Sequence, residues 1–316
     1  MGIIIAELCQ NHLGSRKTMQ KMIEAAAVAG ADYVKTQSIR AEFLSHRPRF
    51  DKGVVENGIT KVIKRPYLKE YERLCLLDIN MDDHRWFIKQ CHDMGVKAMT
   101  TVFTRGVVDE LAEMDWDAIK VASYDCASFP LLRDLKNRFE KLFISTGATY
   151  DDEIEEAASI LQGVDFTFLH CVTIYPTPLN KLDLSRIDYL RKFSPTVGFS
   201  DHTLVSRDGI KAAAGALYYG AEVIERHFTI LEKDQTKDGP VSITPALLKE
   251  LTNISNMEKE ELKKYLDIRV PEFETMLGNS QRELSTEELL NRDYYRGRFV
   301  TKVSDEKHTY NWEEYS

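Results

Sequence analysis

Short β-rich runs alternate with longer amphipathic runs along most of this chain, and that rhythm repeats often enough to leave few folds open. The strand candidates occupy residues 3–8, 32–37, 96–103, 118–123, 142–147, 166–172, 195–200 and 222–228. Between them lie helical patterns such as "TMQKMIEAAAVAG" (18–30), "DDHRWFIKQCHDMG" (82–95), "DDEIEEAASILQG" (151–163) and "RDGIKAAAGALYYG" (207–220). Each of these four ends at a glycine, the residue most at ease in a left-handed helix cap. A strand followed by a helix eight times within about 250 residues is the signature of an α/β protein of the (β/α)8 TIM-barrel type. An open doubly wound sheet usually has fewer repeats, and no GxGxxG turn follows the first strand here.

Two segments break the rhythm. Residues 40–68 separate the second strand from its helix, contain "SHRPRF" and "KRPYLKEY", and are long enough to be a functional loop over the barrel mouth. After Leu277 the chain turns polar and charged. The expected organisation is therefore a barrel domain over residues 1–277 and a short C-terminal extension over 278–316, too small for an ordinary domain.

Charge and cysteine content narrow the partners. A net charge of −8 and the absence of a basic stripe argue against nucleic acid. No apolar run approaches the ~18 residues of a membrane span, and "MGIIIAELCQNH" lacks the features of a secretory signal. A cytoplasmic protein is expected. The five cysteines (Cys9, Cys75, Cys91, Cys126, Cys171) are scattered and include no CxxC pair, which reads as reduced thiols acting as small buried hydrophobes.

The polar residues are placed unevenly. "VIERHFTI" (223–230) begins and ends like a buried strand yet carries Glu225, Arg226 and His227 in its middle. Unpaired buried charge is costly, so such a strand should end at the mouth of a cavity. In a barrel of this type the chemistry sits at the C-terminal ends of the strands. There the sequence puts Glu7, Lys35 with Gln37, Thr101 with Phe103, Lys120 with Ser123, Ser200 with His202, and Glu225 with His227. A hydrogen bond at a strand end would explain any one of them alone; it does not explain the same placement on six strands.

Two lysines from different strands with nearby hydroxyls suit a small dianion such as a phosphate. Two histidines on neighbouring strands suit one divalent metal with an open shell, a Lewis acid for a carbonyl. Glu225 could orient His227 or act as a base. "STGAT" (145–149) reads equally as an anion cradle or as a plain turn, and His170 reads as a buried histidine with a hydrogen-bond partner. No GxSxG or HExxH is present, which disfavours a serine hydrolase or a zincin.

As an ordered set, "IIIAELCQNHLGS", "GADYVKTQ", "TTVF", "KVAS", "STGAT", "LHCVTIYPTP", "VGFSDHT" and "ERHFT" followed by "DGPVSITP" resemble the sialic acid synthase family. The resemblance implies a (β/α)8 barrel that condenses phosphoenolpyruvate with an open-chain N-acylated hexosamine, such as N-acetylmannosamine or a 6-deoxy diacetamido relative. The products would be a nonulosonic acid and phosphate. It implies a divalent ion (manganese first, with magnesium or cobalt as alternatives) on His202 and His227, and phosphoenolpyruvate on Lys35, Thr101, Lys120, Ser123 and Ser200. It sets Glu7, Gln37, Phe103, Asp125 and Tyr175 near the sugar or the reacting centre, with Glu225 or Asp125 handling protons. A cytoplasmic homodimer is the implied state.

The chain departs from that family's pattern in three places. Thr173 stands where asparagine or serine is usual. Val241 occupies a position where some members carry an aspartate towards the sugar, and Asp238 is expected to substitute. The family's C-terminal antifreeze-like domain is expected to be lacking after the hinge-like "YYRGRFV", as a short natural variant or a truncated chain, with Arg296 or Arg298 doing part of its work. Two other readings stand beside the leading one: a related synthase acting on a sugar phosphate, for which no second basic cluster is clear, and a non-catalytic barrel that serves as a sugar-binding or assembly protein.

Overall fold

The computed structural model describes residues 2–304 and 307–314. Eight parallel strands close on themselves: β1 (Ile3–Glu7), β2 (Tyr33–Ser38), β3 (Lys97–Val102), β4 (Ala118–Val121), β5 (Lys141–Ser145), β6 (Asp165–His170), β7 (Thr196–Asp201) and β8 (Val223–His227). Each strand pairs with its neighbour in sequence, and β8 pairs with β1 to shut the barrel. The expected (β/α)8 architecture is therefore what the chain forms. Among the described residues no helix is long and apolar enough to cross a membrane.

The period-two alternation of strand side chains builds the site directly. Ile5, Tyr33, Met99, Ala118, Phe143, Leu169 and Val223 form one apolar cluster separate from the main core. Two residues further along each of these strands, on the same face, come Glu7, Lys35, Thr101, Lys120, Ser145, Cys171 and Glu225. An apolar floor thus carries a polar layer at the C-terminal rim. On β7 the floor position is Gly198, where a Cβ would lie 2.5 Å from Leu169 and 2.7 Å from the Cβ of Val223. Glycine is required there because the floor is already full. Residues of opposite parity, such as Ile4, Val34, Ile119, Phe168 and Ile224, pack outward in the main core.

That outer core is completed by helices α1 (Arg16–Ala29), α2 (Met81–Asp93), α3 (Val108–Ala112), α4 (Phe129–Lys136), α5 (Asp151–Ile160), α6 (Arg186–Leu190), α7 (Lys211–Tyr219) and α8 (Pro245–Ile254). Ser15 caps α1 at its start and Gly30, at φ 91°, closes it; α2 opens on an Asn80/Asp83 capping box. The helix expected over 207–220 is broken into a turn at Val205–Asp208 and α7. Gly209 lies between them at φ 55°, and its carbonyl accepts a hydrogen bond from Arg226 at 3.1 Å.

Both irregular segments are structured. Within 40–68 a hairpin joins Val54–Glu56 to Ile59–Val62 through Asn57–Gly58, both at positive φ as a tight two-residue turn needs. The extension folds back over the barrel mouth. Helix α9 (Lys259–Arg269) precedes it, and α10 (Thr286–Tyr295) opens on a Ser285/Glu288 capping box. Asn291 donates to the Thr173 carbonyl at 2.8 Å, Phe299 bridges to Leu44, and Asn311 donates to the Phe103 carbonyl at 2.8 Å.

Candidate active site

The polar layer opens into a cavity of about 430 Å³, within the range of small-molecule sites. Thirteen of the residues anticipated from sequence line it: Glu7, Lys35, Gln37, Thr101, Phe103, Lys120, Ser123, Tyr175, Ser200, His202, Glu225, His227 and Asp238.

The two lysines stand on β2 and β4, both buried. Lys35 contacts the Glu7 carboxylate, donates to Thr101 Oγ1 at 2.9 Å and lies 3.5 Å from Glu225. Lys120 donates to Ser145 Oγ at 2.6 Å and lies 3.8 Å from the same Glu225, which also accepts from Ser200 at 2.9 Å. Glu225 therefore sits between the two ammonium groups rather than serving as an orienting partner for His227.

The carboxylates are pushed apart. Burial opposes ionisation of Glu225, but Lys120 and Lys35 outweigh it and hold its pKa at about 2. Burial raises Glu7 above its ordinary value, with Lys35 only partly offsetting this. Two neighbouring carboxylates shifted in opposite directions are how a site separates acid from base roles. Burial lowers Lys120, whereas Lys35 is raised because Glu225 and Glu7 overcome the burial cost.

His202 and His227 face one another across the β7 and β8 ends, ring centroids 5.2 Å apart. Among the described residues neither Nδ1 has a hydrogen-bond partner. Burial, then the neighbouring His227, lowers His202 well below the ordinary range, so its ring is neutral with a lone pair to give. A divalent cation fits two imidazoles whose Nδ1 atoms have no other partner.

On the other face of the same strands, Arg226 pairs with Asp201, both fully buried, and donates to Thr203 Oγ1 at 3.0 Å and the Thr203 carbonyl at 3.1 Å. This pair directly adjoins both histidines in the chain and fixes the turn that carries His202.

Two anticipated residues stand outside the cavity. Asp125 lines a small neighbouring cavity, accepting from Ser128 at 2.8 Å and Asn311 at 2.9 Å, and burial raises it to about 6. Thr173 is buried behind the wall, its carbonyl holding Asn291. His170 Nε2 donates to the Leu182 carbonyl at 2.6 Å and does not line the cavity. The "STGAT" turn proves mixed: Ser145 lines the cavity, while Gly147 N–H and Thr149 Oγ1 tie the turn to Ser123 at 3.2 and 3.1 Å.

Other lining residues were not anticipated. Cys9 and Cys171 line the cavity and Cys75 is exposed, so only part of the cysteine set is plain apolar filling. Arg65, Arg73 and Lys237 join Arg298 at the mouth, a basic group assembled from distant segments. From α10 come Glu287, Asn291 and Tyr295, four residues apart and so on one helix face. Tyr295 stacks on Tyr124 at 4.9 Å. Arg298 faces the cavity, whereas Arg296 lines a separate pocket beneath Trp312. Helical spacing in "STEELLNRDYY" was visible; which surface it covers was not.

Comparison with known proteins agrees with this geometry. Residues 22–264 match the NeuB family. The N,N'-diacetyllegionaminic acid synthase of Campylobacter jejuni is 30% identical over 319 residues, spanning 96% of this chain and 86% of that protein. The pseudaminic acid synthase of the same species is 27% identical, over 95% and 81% of the two chains. Among solved structures, the N-acetylneuraminic acid synthetase of Leptospira borgpetersenii, in complex with citrate, superposes with a TM-score of 0.70 at 26% identity, covering 93% and 90%. With most of its barrel matched by the family and its length shared with these synthases, this chain belongs to the NeuB family.

Proposed function

We propose that the chain condenses phosphoenolpyruvate with an N-acylated hexosamine to give a nonulosonic acid and inorganic phosphate. The observation that carries this is a single cavity holding two buried lysines from different strands beside two histidines with unpartnered nitrogens. The Campylobacter relatives named for legionaminic and pseudaminic acid support the product class.

Lys35 and Lys120 bind the phosphate and carboxylate of phosphoenolpyruvate, with Thr101, Ser123, Ser145 and Ser200 adding hydroxyl donors. Glu225, kept anionic between the lysines, favours the charged form of both. Gln37, Phe103, Tyr175 and Asp238 shape the acceptor end. Holding both substrates in one enclosed space makes the carbon–carbon step effectively intramolecular. C3 of phosphoenolpyruvate attacks the acceptor aldehyde carbon, and Glu7 is the group placed to give the new hydroxyl its proton. Water then adds at C2 and returns a proton to Glu7; the C2–O bond breaks with its electrons leaving on phosphate, which takes the C2 hydroxyl proton as the ketone forms. A divalent cation on His202 and His227 (manganese, with magnesium or cobalt as alternatives) would supply Lewis-acid polarisation of the aldehyde oxygen. A cytoplasmic homodimer is part of the same proposal, checked by light scattering and fractionation.

The test is phosphate release from phosphoenolpyruvate in the presence of each cation, with N-acetylmannosamine and 6-deoxy diacetamido hexoses as acceptors. Release that requires one acceptor and falls at least ~100-fold in Lys120→Met supports the reading. A folded protein that releases none with any acceptor is a binding barrel. The basic group at the mouth favours one second reading, a phosphorylated hexosamine. Faster turnover of N-acetylmannosamine 6-phosphate than of the free sugar would select it.

A further inference from the structure

Cys9 follows β1 and holds φ 47°, a left-handed conformation that non-glycine residues adopt at a cost of ~1–3 kcal/mol. Cys9 lines the cavity. The sulfur lies 3.0 Å from Asp238 Oδ2 and takes a hydrogen bond from Gln37 at 3.3 Å. Among the described residues, one group of three side chains can converge on a metal ion: Cys9, His227 and Asp238, whose ligand atoms all lie within 4.8 Å of one another. Tetrahedral ligands stand ~3.5 Å apart at ordinary metal–sulfur and metal–nitrogen lengths; Cys9 Sγ and Asp238 are already that close, and the three together need to close by ~1 Å at most. His202, buried and with its Nδ1 unpartnered, packs against His227 on the same side of the cavity.

We propose that Cys9 and Asp238 are direct ligands of the cation, which makes the centre a thiolate, imidazole and carboxylate site rather than two histidines and water. The inference rests on the reading of this cavity as a metal-bearing site. The thiol proton now shared with Asp238 is the atom the cation replaces: a Cys9–S–metal bond forms, the S–H bond breaks, and one proton goes to solvent for each ion bound. A soft donor selects the cation. Zinc, iron(II) and cobalt bind this set better than magnesium, whose preferred shell is all oxygen.

Cobalt(II) is the probe, titrated into the full chain in a Cys75→Ser background so that no exposed thiol contributes. The expected result is a near-ultraviolet thiolate-to-cobalt charge-transfer band that saturates at one ion per chain, with one proton released. Cys9→Ser abolishes the band and the proton release and weakens cobalt binding at least ~10-fold, while histidine-derived visible bands persist. Asp238→Asn keeps the charge-transfer band but shifts the visible bands and weakens binding. Should Cys9→Ser fail to fold, the wild-type band and the Asp238→Asn shift decide alone. Cobalt bound without a charge-transfer band, or bound equally by Cys9→Ser, overturns the thiolate ligand and leaves the two-histidine reading standing. No cobalt binding, with phosphate release indifferent to chelators, overturns both.

Discussion

Among the described residues Arg226 is the largest fully buried side chain, and it does not line the cavity. Its guanidinium meets Asp201, Thr203 and the Gly209 carbonyl, so it joins the end of β8 to the turn after β7. Removing one partner of a buried pair leaves the other charge uncompensated, at ~3–5 kcal/mol. Arg226→Met is expected to lower the urea-unfolding free energy by that amount and to weaken cobalt binding, since His202 and His227 adjoin the pair in sequence. At Gly198 the prediction concerns volume. A methyl group there meets Leu169 and Val223 at 2.5–2.7 Å, so Gly198→Ala should cost about 1–3 kcal/mol in the same assay through overpacking.

Helix α10 is fastened over the mouth by Asn291 on the Thr173 carbonyl, Arg292 on the Ala148 carbonyl and Glu153, Arg47 on the Tyr294 carbonyl and Tyr295 on Tyr124, and just beyond its end Arg298 meets Glu70. Glu70 is also held by Arg73 through bonds of 2.7 and 3.0 Å. Burial would raise this carboxylate, but the Arg73 bonds and the Arg298 charge prevail and bring it to about 2. A depressed acid stabilises the fold above its unfolded pKa and loses that contribution as pH falls through the folded one. The clamp should therefore be whole above about pH 4.5 and loosen towards about pH 2. Hydrogen exchange of α10 is the measurement: Arg298→Ala should speed it at neutral pH with little change in the β-strand amides. Glu70→Gln should remove the acid-sensitive step.

At the scale of the molecule, acid acts through buried neutral histidines. Burial lowers His84 to about 4, His12 to about 4 and His170 to about 3. Between the ordinary histidine value of 6.5 and these folded values the unfolded chain binds more protons, so stability rises with pH across that window. For His84 the shift corresponds to about 3 kcal/mol lost by pH 4. Unfolding free energies measured at pH 7 and pH 4 should differ by several kcal/mol. His170→Gln, which keeps a donor for the Leu182 carbonyl, should reduce the gap.

Much of this was legible in one dimension. The eight-fold alternation of strand and helix specified the barrel, because a period of two and a period near 3.6 are local consequences of backbone geometry. The same alternation set Lys35, Lys120, Glu225 and both histidines on the inner face at one rim, since position along a strand decides both face and height. Local pattern could not say that Glu225 serves two lysines, that Asp125 turns away to Ser128 and Asn311, or that Cys9 meets Asp238, 229 residues away. Those depend on how strands close and how segments without periodicity cross the rim. The extension after Leu277 reads as polar and charged, and its few buried apolar residues, Tyr294, Phe299 and Val300, do not announce a destination. Only the folded chain shows that it covers the cavity mouth, held by cross-segment contacts that exist once the barrel has formed beneath it.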